Sequence, residues 1–156
     1  MHSRRQVKHT MKQLLIGVVF LASLDAYAQL KKYKKWEEAV EVSKKNNKDI
    51  LIILTGKEWC APCKKLESSV LQTNQFKDYA EAKFVVFEID VPKSHLARPN
   101  SSIVKMHEEF STRYKATAFP SLILVNKEGV EKMKITESSW EMEDILNSFE
   151  TVYTNE

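Results

Sequence analysis

The stretch "DILIILTGKEWCAPCKKLESSVL", residues 49–71, runs from a continuous apolar segment straight into both cysteines of the chain. Its first part, "DILIILTG" (49–56), is short, rich in isoleucine and free of polar interruptions between Ile50 and Leu54, the pattern of a strand covered on both faces. Its last part, "CKKLESSVL" (63–71), brings Leu66, Val70 and Leu71 to one side of a helix. Strand, turn and helix therefore follow in that order, and Cys60 and Cys63 fall where the helix opens. Unpaired backbone N–H groups and the positive end of a helix favour an anion there, and a thiolate is such an anion. The Cys60 thiol is expected to fall from a free value of about 8.5 toward about 7, which makes it nucleophilic at neutral pH. Cys63, three positions on and on the same side, is within reach of a mixed disulfide on Cys60 and is expected to be the buried, resolving thiol. Pro62 inside the first turn removes an N–H that would have no helical partner, and it stiffens the loop between the sulfurs. Trp59 is expected beside the exposed sulfur as an apolar platform for an incoming chain.

Other uses of a CxxC pair fit less well. A zinc site takes four ligands, and beyond residue 28 the chain offers only His95 and His107, far apart and expected at the surface. No metal and no cofactor are expected. Covalent haem attachment requires CxxCH, and Lys64 occupies the histidine position. A purely structural disulfide closing so small a loop removes little chain entropy. A redox couple is the favoured use.

Outward from the motif, helical and extended patterns alternate. Tyr33, Trp36 and Val40 recur at helical spacing between Leu30 and Asn47, with the lysines of "KKYKK" (31–35) expected as a solvated helix face. A short helix is expected near 74–82, a second buried strand at "KFVVFEIDV" (83–91), and a loop at "PKSHLARPN" (92–100). Ile103, Met106, Phe110 and Tyr114 restore helical spacing; "ATAFPSLILVNKEGVEKMKI" (116–135) then reads as a hairpin turning at 127–129. A last helix from about Ser139 to Tyr153 is expected to bury Trp140, Ile145, Leu146 and Phe149. The order implies an α/β fold, a central mixed sheet with helices on both faces. At 156 residues, 43% hydrophobic and 10% aromatic, with no repeat and no Gly- or Pro-rich linker, the chain has the material for one core.

The N-terminus stands apart. Arg4, Arg5, Lys8 and Lys12 precede the apolar run "LLIGVVFLASL" (14–24), which is followed by Ala26, Tyr27 and Ala28. Basic region, apolar region and A-x-A site in that order form a secretory signal peptide over residues 1–28, leaving 29–156 as the domain. The apolar run is well short of the roughly 20 residues that span a bilayer, so no stable membrane anchor is expected, and Met11 is an alternative start. The leader also explains the charge. The chain has 24 basic and 21 acidic residues, but four of the former and only one of the latter, Asp25, lie in residues 1–28. The remainder is balanced, which takes away any compositional support for a nucleic-acid partner or an anionic membrane surface.

Residues "EWCAPCKKL" (58–66) after an apolar strand, together with "TAFPSLILVNKEG" (117–129), resemble the thioredoxin superfamily over nearly all of residues 29–156. With the preceding helix, "LTGKEWC" and the long loop after "FEID", the chain looks most like exported thioredoxin-like proteins related to the C-terminal domain of the periplasmic thiol:disulfide electron transporter. The resemblance implies a thioredoxin-like fold and thiol–disulfide oxidoreductase activity, with Cys60 and Cys63 catalytic and with Trp59, Ala61, Pro62, Phe119 and Pro120 in substrate binding. It also implies that Pro120 follows a cis bond and lies against the cysteines, so that the backbone before it pairs with an extended substrate. Two positions depart from thioredoxins. Their buried acid six residues before the first cysteine is replaced by Leu54, which leaves water, Glu58 or another group to move the proton of Cys63. Ala61 replaces the usual glycine and leaves the potential open. Lys57 and Lys64 are candidates for holding the Cys60 thiolate. The implied partners are disulfide-containing proteins and a membrane thiol electron donor; the leader makes a periplasmic or secreted location the expected one, and with no dedicated dimerisation segment visible a monomer is expected. The alternative from another class is a binding module whose CxxC stays oxidised and whose Phe119–Pro120 face docks peptides.

Overall fold

The computed structural model describes residues 29–137 and 139–154; the expected leader lies outside them. A five-stranded sheet is ordered β1 (Lys32–Tyr33), β3 (Phe84–Asp90), β2 (Asp49–Thr55), β4 (Ser121–Val125), β5 (Glu131–Ile135). β1 and β2 both run parallel to β3, whereas β4 is antiparallel to β2 and to β5, so the sheet is mixed as expected. Side chains alternate across it with period two. Leu51 and Ile53 of β2 lie on one face with Val86 and Leu124, under Leu66, Val70 and Leu71 from the segment after the cysteines, and under α3 (Asn74–Lys83) and α5 (Met142–Thr154). Ile50, Ile52 and Leu54 lie on the other with Phe87 and Ile123, under α1 (Trp36–Asn46) and α4 (Ser102–Arg113). Because both alternating sets are buried, both are apolar, which is why β2 reads as one continuous run. Each such side chain contributes about 1.5–3 kcal/mol by leaving water.

Three local features shape the fold, two beside the end of β2 and one, the β4–β5 turn, at the far end of the sheet. The helix opened by the cysteines, α2 (Ala61–Leu66), continues into a π-helical turn over Glu67–Leu71, where Gln72 N donates to Glu67 O at 3.0 Å. That wider turn keeps Leu66, Val70 and Leu71 on the core while turning Glu67 toward β1. The β4–β5 hairpin is closed by Asn126, whose Oδ1 accepts from Glu128 N and Val130 N, and by Gly129, whose φ of 83° disfavours any side chain. Val91 N donates to Thr55 O at 2.9 Å, fastening the end of β3 to the end of β2 just ahead of the cysteines.

The N-terminal helix differs from expectation. It begins at Trp36, after a separate two-residue strand. Lys32 is thus no solvated helix residue. Its Nζ lies 3.0 Å from Glu67 and 2.9 Å from Glu88, and Lys34 also pairs with Glu88. A carboxylate buried on β3 requires cationic partners, and the lysines beside it on the sheet edge supply them. The last helix begins only at Met142, and Trp140 precedes it in a left-handed conformation (φ 57°) with its side chain buried.

Candidate active site at the end of β2

Beyond β2 the chain turns on Gly56, whose carbonyl accepts from Trp59 N at 3.1 Å and Cys60 N at 2.9 Å. The Trp59 ring lies so close over this glycine that a Cβ there would sit 2.5 Å from two of its ring atoms. The ring is held by Nε1, which donates to Val91 O at 2.8 Å. Cys60 caps α2 in extended conformation, its Sγ accepting from Cys63 N at 3.2 Å; Pro62 occupies the first turn without loss of a hydrogen bond. The two sulfurs are bonded, 2.11 Å apart, with Cα atoms 5.2 Å apart. Cys60 retains 7% of its surface and Cys63 only 1%. Cys60 is thus the more accessible of the two cysteines, although it is far more covered than expected from sequence. Ala61 and Pro62 are exposed on the rim.

From the other side comes the Phe119–Pro120 peptide, which is cis. Phe119 O stands 3.7 Å from Cys60 Sγ; the disulfide sulfur carries no hydrogen, so this is a contact rather than a hydrogen bond. The Phe119 ring meets Trp59 edge to face at 5.1 Å. Cys60, Trp59, Phe119 and Pro120, some sixty residues apart in the chain, therefore converge. Among the described residues no group of three or more His, Cys, Asp or Glu side chains is placed to hold a metal.

Of the charged residues near the motif, Lys57 is engaged by carboxylates of β3. Glu58 is exposed, and its carboxylate accepts from Lys93 N at 2.9 Å. Leu54 is fully buried in the apolar cluster beneath α4. Lys57 is committed to carboxylates, 3.2 Å from Glu88 and 3.5 Å from Asp90. Burial pulls the Lys57 ammonium down, but Glu88, Glu67 and Asp90 outweigh it and leave the group above its ordinary value. Lys64 is exposed.

Two features of this end of the molecule escape a reading of the sequence. Glu88 has a side chain only 1% exposed, surrounded by Lys32, Lys34 and Lys57. Burial alone would push its carboxyl up; the Lys32 charge and the hydrogen bonds from Lys34 and Lys32 override that and hold it at about 2. A lone charge inside "FVVFEIDV" is the signal that points to it. His107, expected at the surface, packs instead flat on Phe119, with centroids 4.4 Å apart and planes inclined by 7°. Its spacing of four from Ile103, on the apolar side of α4, is the corresponding signal.

A family model described as a thioredoxin-like domain matches residues 36–150. The chain belongs to the thioredoxin-like family. Within that family it is 35% identical over 98 residues to the disulfide bond reductase DsbH of Chlamydia pneumoniae, a match covering 62% of this chain and 57% of that protein. The chain thus spans little more than half the length of that curated relative. A solved DsbH oxidoreductase superposes with a TM-score of 0.68 at 26% identity, over 80% of this chain and 85% of that one. The oxidised C-terminal domain of Neisseria meningitidis DsbD gives a TM-score of 0.56 over 78% of this chain and 98% of that one; at 12% identity this is a likeness of fold alone. The thioredoxin-like fold expected from "EWCAPCKKL" and "TAFPSLILVNKEG" is therefore the one observed.

Proposed function

We propose that this protein is an exported thiol–disulfide oxidoreductase that reduces disulfides in other proteins through the Cys60–Cys63 couple. The observation that carries it is the pairing of the two sulfurs at the opening of α2, with Cys60 the more accessible and Phe119 O 3.7 Å away. In the reduced protein the Cys60 thiolate attacks one sulfur of a substrate disulfide; a mixed disulfide forms and the substrate's other sulfur leaves as a thiolate. Cys63 then attacks Cys60 Sγ, the mixed disulfide breaks, and the second substrate sulfur leaves. Two electrons have passed from the dithiol to the substrate, and Cys60–Cys63 is the oxidised product. The N–H of Cys63, 3.2 Å from Cys60 Sγ, stabilises the thiolate at the start of the cycle.

The reductive direction is supported by the Chlamydia relative, which is named a disulfide bond reductase. Export is supported by the composition of residues 1–28. In an oxidising compartment the oxidised couple requires an external dithiol to restore it, and a membrane thiol carrier is the class of donor that fits. Trp59, Ala61, Pro62, Phe119 and Pro120 form the docking edge. Both sulfurs and the whole of that edge come from one chain, so a monomer suffices. The test is the reduction of a protein disulfide by the dithiol form, followed by trapping: Cys63→Ala should accumulate a mixed disulfide on Cys60. Failure of the reduced wild type to consume any protein disulfide would refute the proposal.

A further inference from the structure

His107 belongs to no part of the redox couple, yet its ring is built into the docking edge. It projects from α4 and lies flat on Phe119, while Trp59, from the turn after β2, meets the same Phe119 ring by an edge. Two rings from two other segments thus clamp Phe119, whose carbonyl stands 3.7 Å from Cys60 Sγ. The histidine itself gains nothing in hydrogen bonding: among the described residues its buried Nε2 has no partner. A buried polar nitrogen left unpaired carries a cost that an apolar ring at the same place would avoid. Burial holds the imidazole below its ordinary value, opposed by the neighbouring Glu108 charge, so the stacked ring is neutral at pH 7. It therefore adds a flat, uncharged surface behind Phe119 without placing a charge beside the thiolate.

We propose that His107 is a positioning residue for substrate docking, which fixes Phe119 by stacking and so holds the backbone before Pro120 where an extended peptide must pair as its disulfide meets Cys60. This rests on the oxidoreductase function proposed above and adds a residue to it. A lost stack lets the Phe119 backbone shift, and small misplacements of a docking group lower rates steeply. The effect is confined to substrates that use the edge.

The experiment compares two disulfides against the reduced full chain, with the change in tryptophan fluorescence on oxidation read by stopped flow. One is an extended peptide of about ten residues carrying a disulfide; the other is hydroxyethyl disulfide, too small to engage the edge. His107→Ala should slow the peptide reaction about tenfold while leaving the small disulfide within about twofold. His107→Phe, which keeps a flat ring, should restore the peptide rate to within about twofold of wild type. Equal slowing of both disulfides would assign His107 to the thiolate rather than to docking and overturn the proposal. So would an unchanged peptide rate in His107→Ala, or a Phe variant as slow as the Ala one. If the reduced wild type reacts with neither disulfide, the oxidoreductase function itself falls, and this role with it. Wild-type reactivity is measured first and separates the two failures.

Discussion

Two groups at this end of the molecule face opposite circumstances. Glu88 is sealed in β3 and has three lysines around it. His107 is stacked on Phe119, and its buried Nε2 has no partner among the described residues. A buried charge with all its partners serves the fold, since the lysines offset the cost of taking the carboxylate out of water. A buried polar atom without a partner weakens the fold slightly, and the reason for its presence lies in what its ring does to Phe119 and Cys60. Stability is concentrated in the first region and chemistry in the second, although Lys57 belongs to the cluster and lies three residues before Cys60.

That division can be broken by experiment. The largest effect on activity is expected from Cys60→Ser, which should lower disulfide reduction by about 10³-fold or more, while unfolding relative to the reduced wild type changes by only about 1 kcal/mol. A stability loss of several kcal/mol in that variant would show that the redox edge also carries the fold. The largest effect on stability is expected from Glu88→Ala. It takes from Lys34 its carboxylate partner and leaves Lys32 and Lys57 with Glu67 and Asp90 alone, and should cost about 3 kcal/mol in urea unfolding at neutral pH, with the peptide-reduction rate of the folded protein kept within a few fold. Collapse of that rate in protein still folded would join the two regions.

Acid should act most strongly through the cluster. Glu88 binds a proton less readily folded than unfolded, since its carboxyl is lowered to about 2. Its contribution is therefore complete above about pH 4.5 and is lost as pH falls toward 2, amounting to about 3 kcal/mol. Stability curves for wild type and Glu88→Ala should converge across that window; parallel curves would contradict the pairing. At the other region, Gly56→Ala brings a methyl against the Trp59 ring and should slow peptide reduction about three- to tenfold. An unchanged rate would mean that Trp59 does not need its present position. The smallest effect on stability is expected at His107. Its imidazole is below its ordinary value when folded, so stability should decline gently as pH drops below 6.5 and level off once the folded ring is protonated. His107→Phe should remove that slope.

What the sequence disclosed follows the same division. β2 and the opening of α2 were legible because both alternating faces of Ile50–Leu54 are buried and because Pro62 and the cysteines mark the helix start. The convergence of Phe119 and Pro120 on Cys60 was legible through family resemblance, since no local pattern connects residues so far apart. β1 was not, because two residues carry no periodicity and their strand exists only through pairing with β3. The lysines of "KKYKK" therefore read as a helix face. The Glu88 cluster was hidden for a related reason: its partners lie 56, 54 and 31 residues away in sequence. His107 was passed over because one histidine among apolar neighbours at helical spacing looks like an incidental surface residue until Phe119 is seen beneath it.

The most direct test of the proposed chemistry is the reduction potential of the Cys60–Cys63 pair in purified protein, equilibrated against glutathione buffers and read through tryptophan fluorescence. A dithiol that reduces protein disulfides should give one reversible two-electron transition near about −270 mV. A value near about −120 mV would make the protein an oxidant. No reversible transition at all would mean a permanently closed disulfide and a peptide-docking module in place of an enzyme.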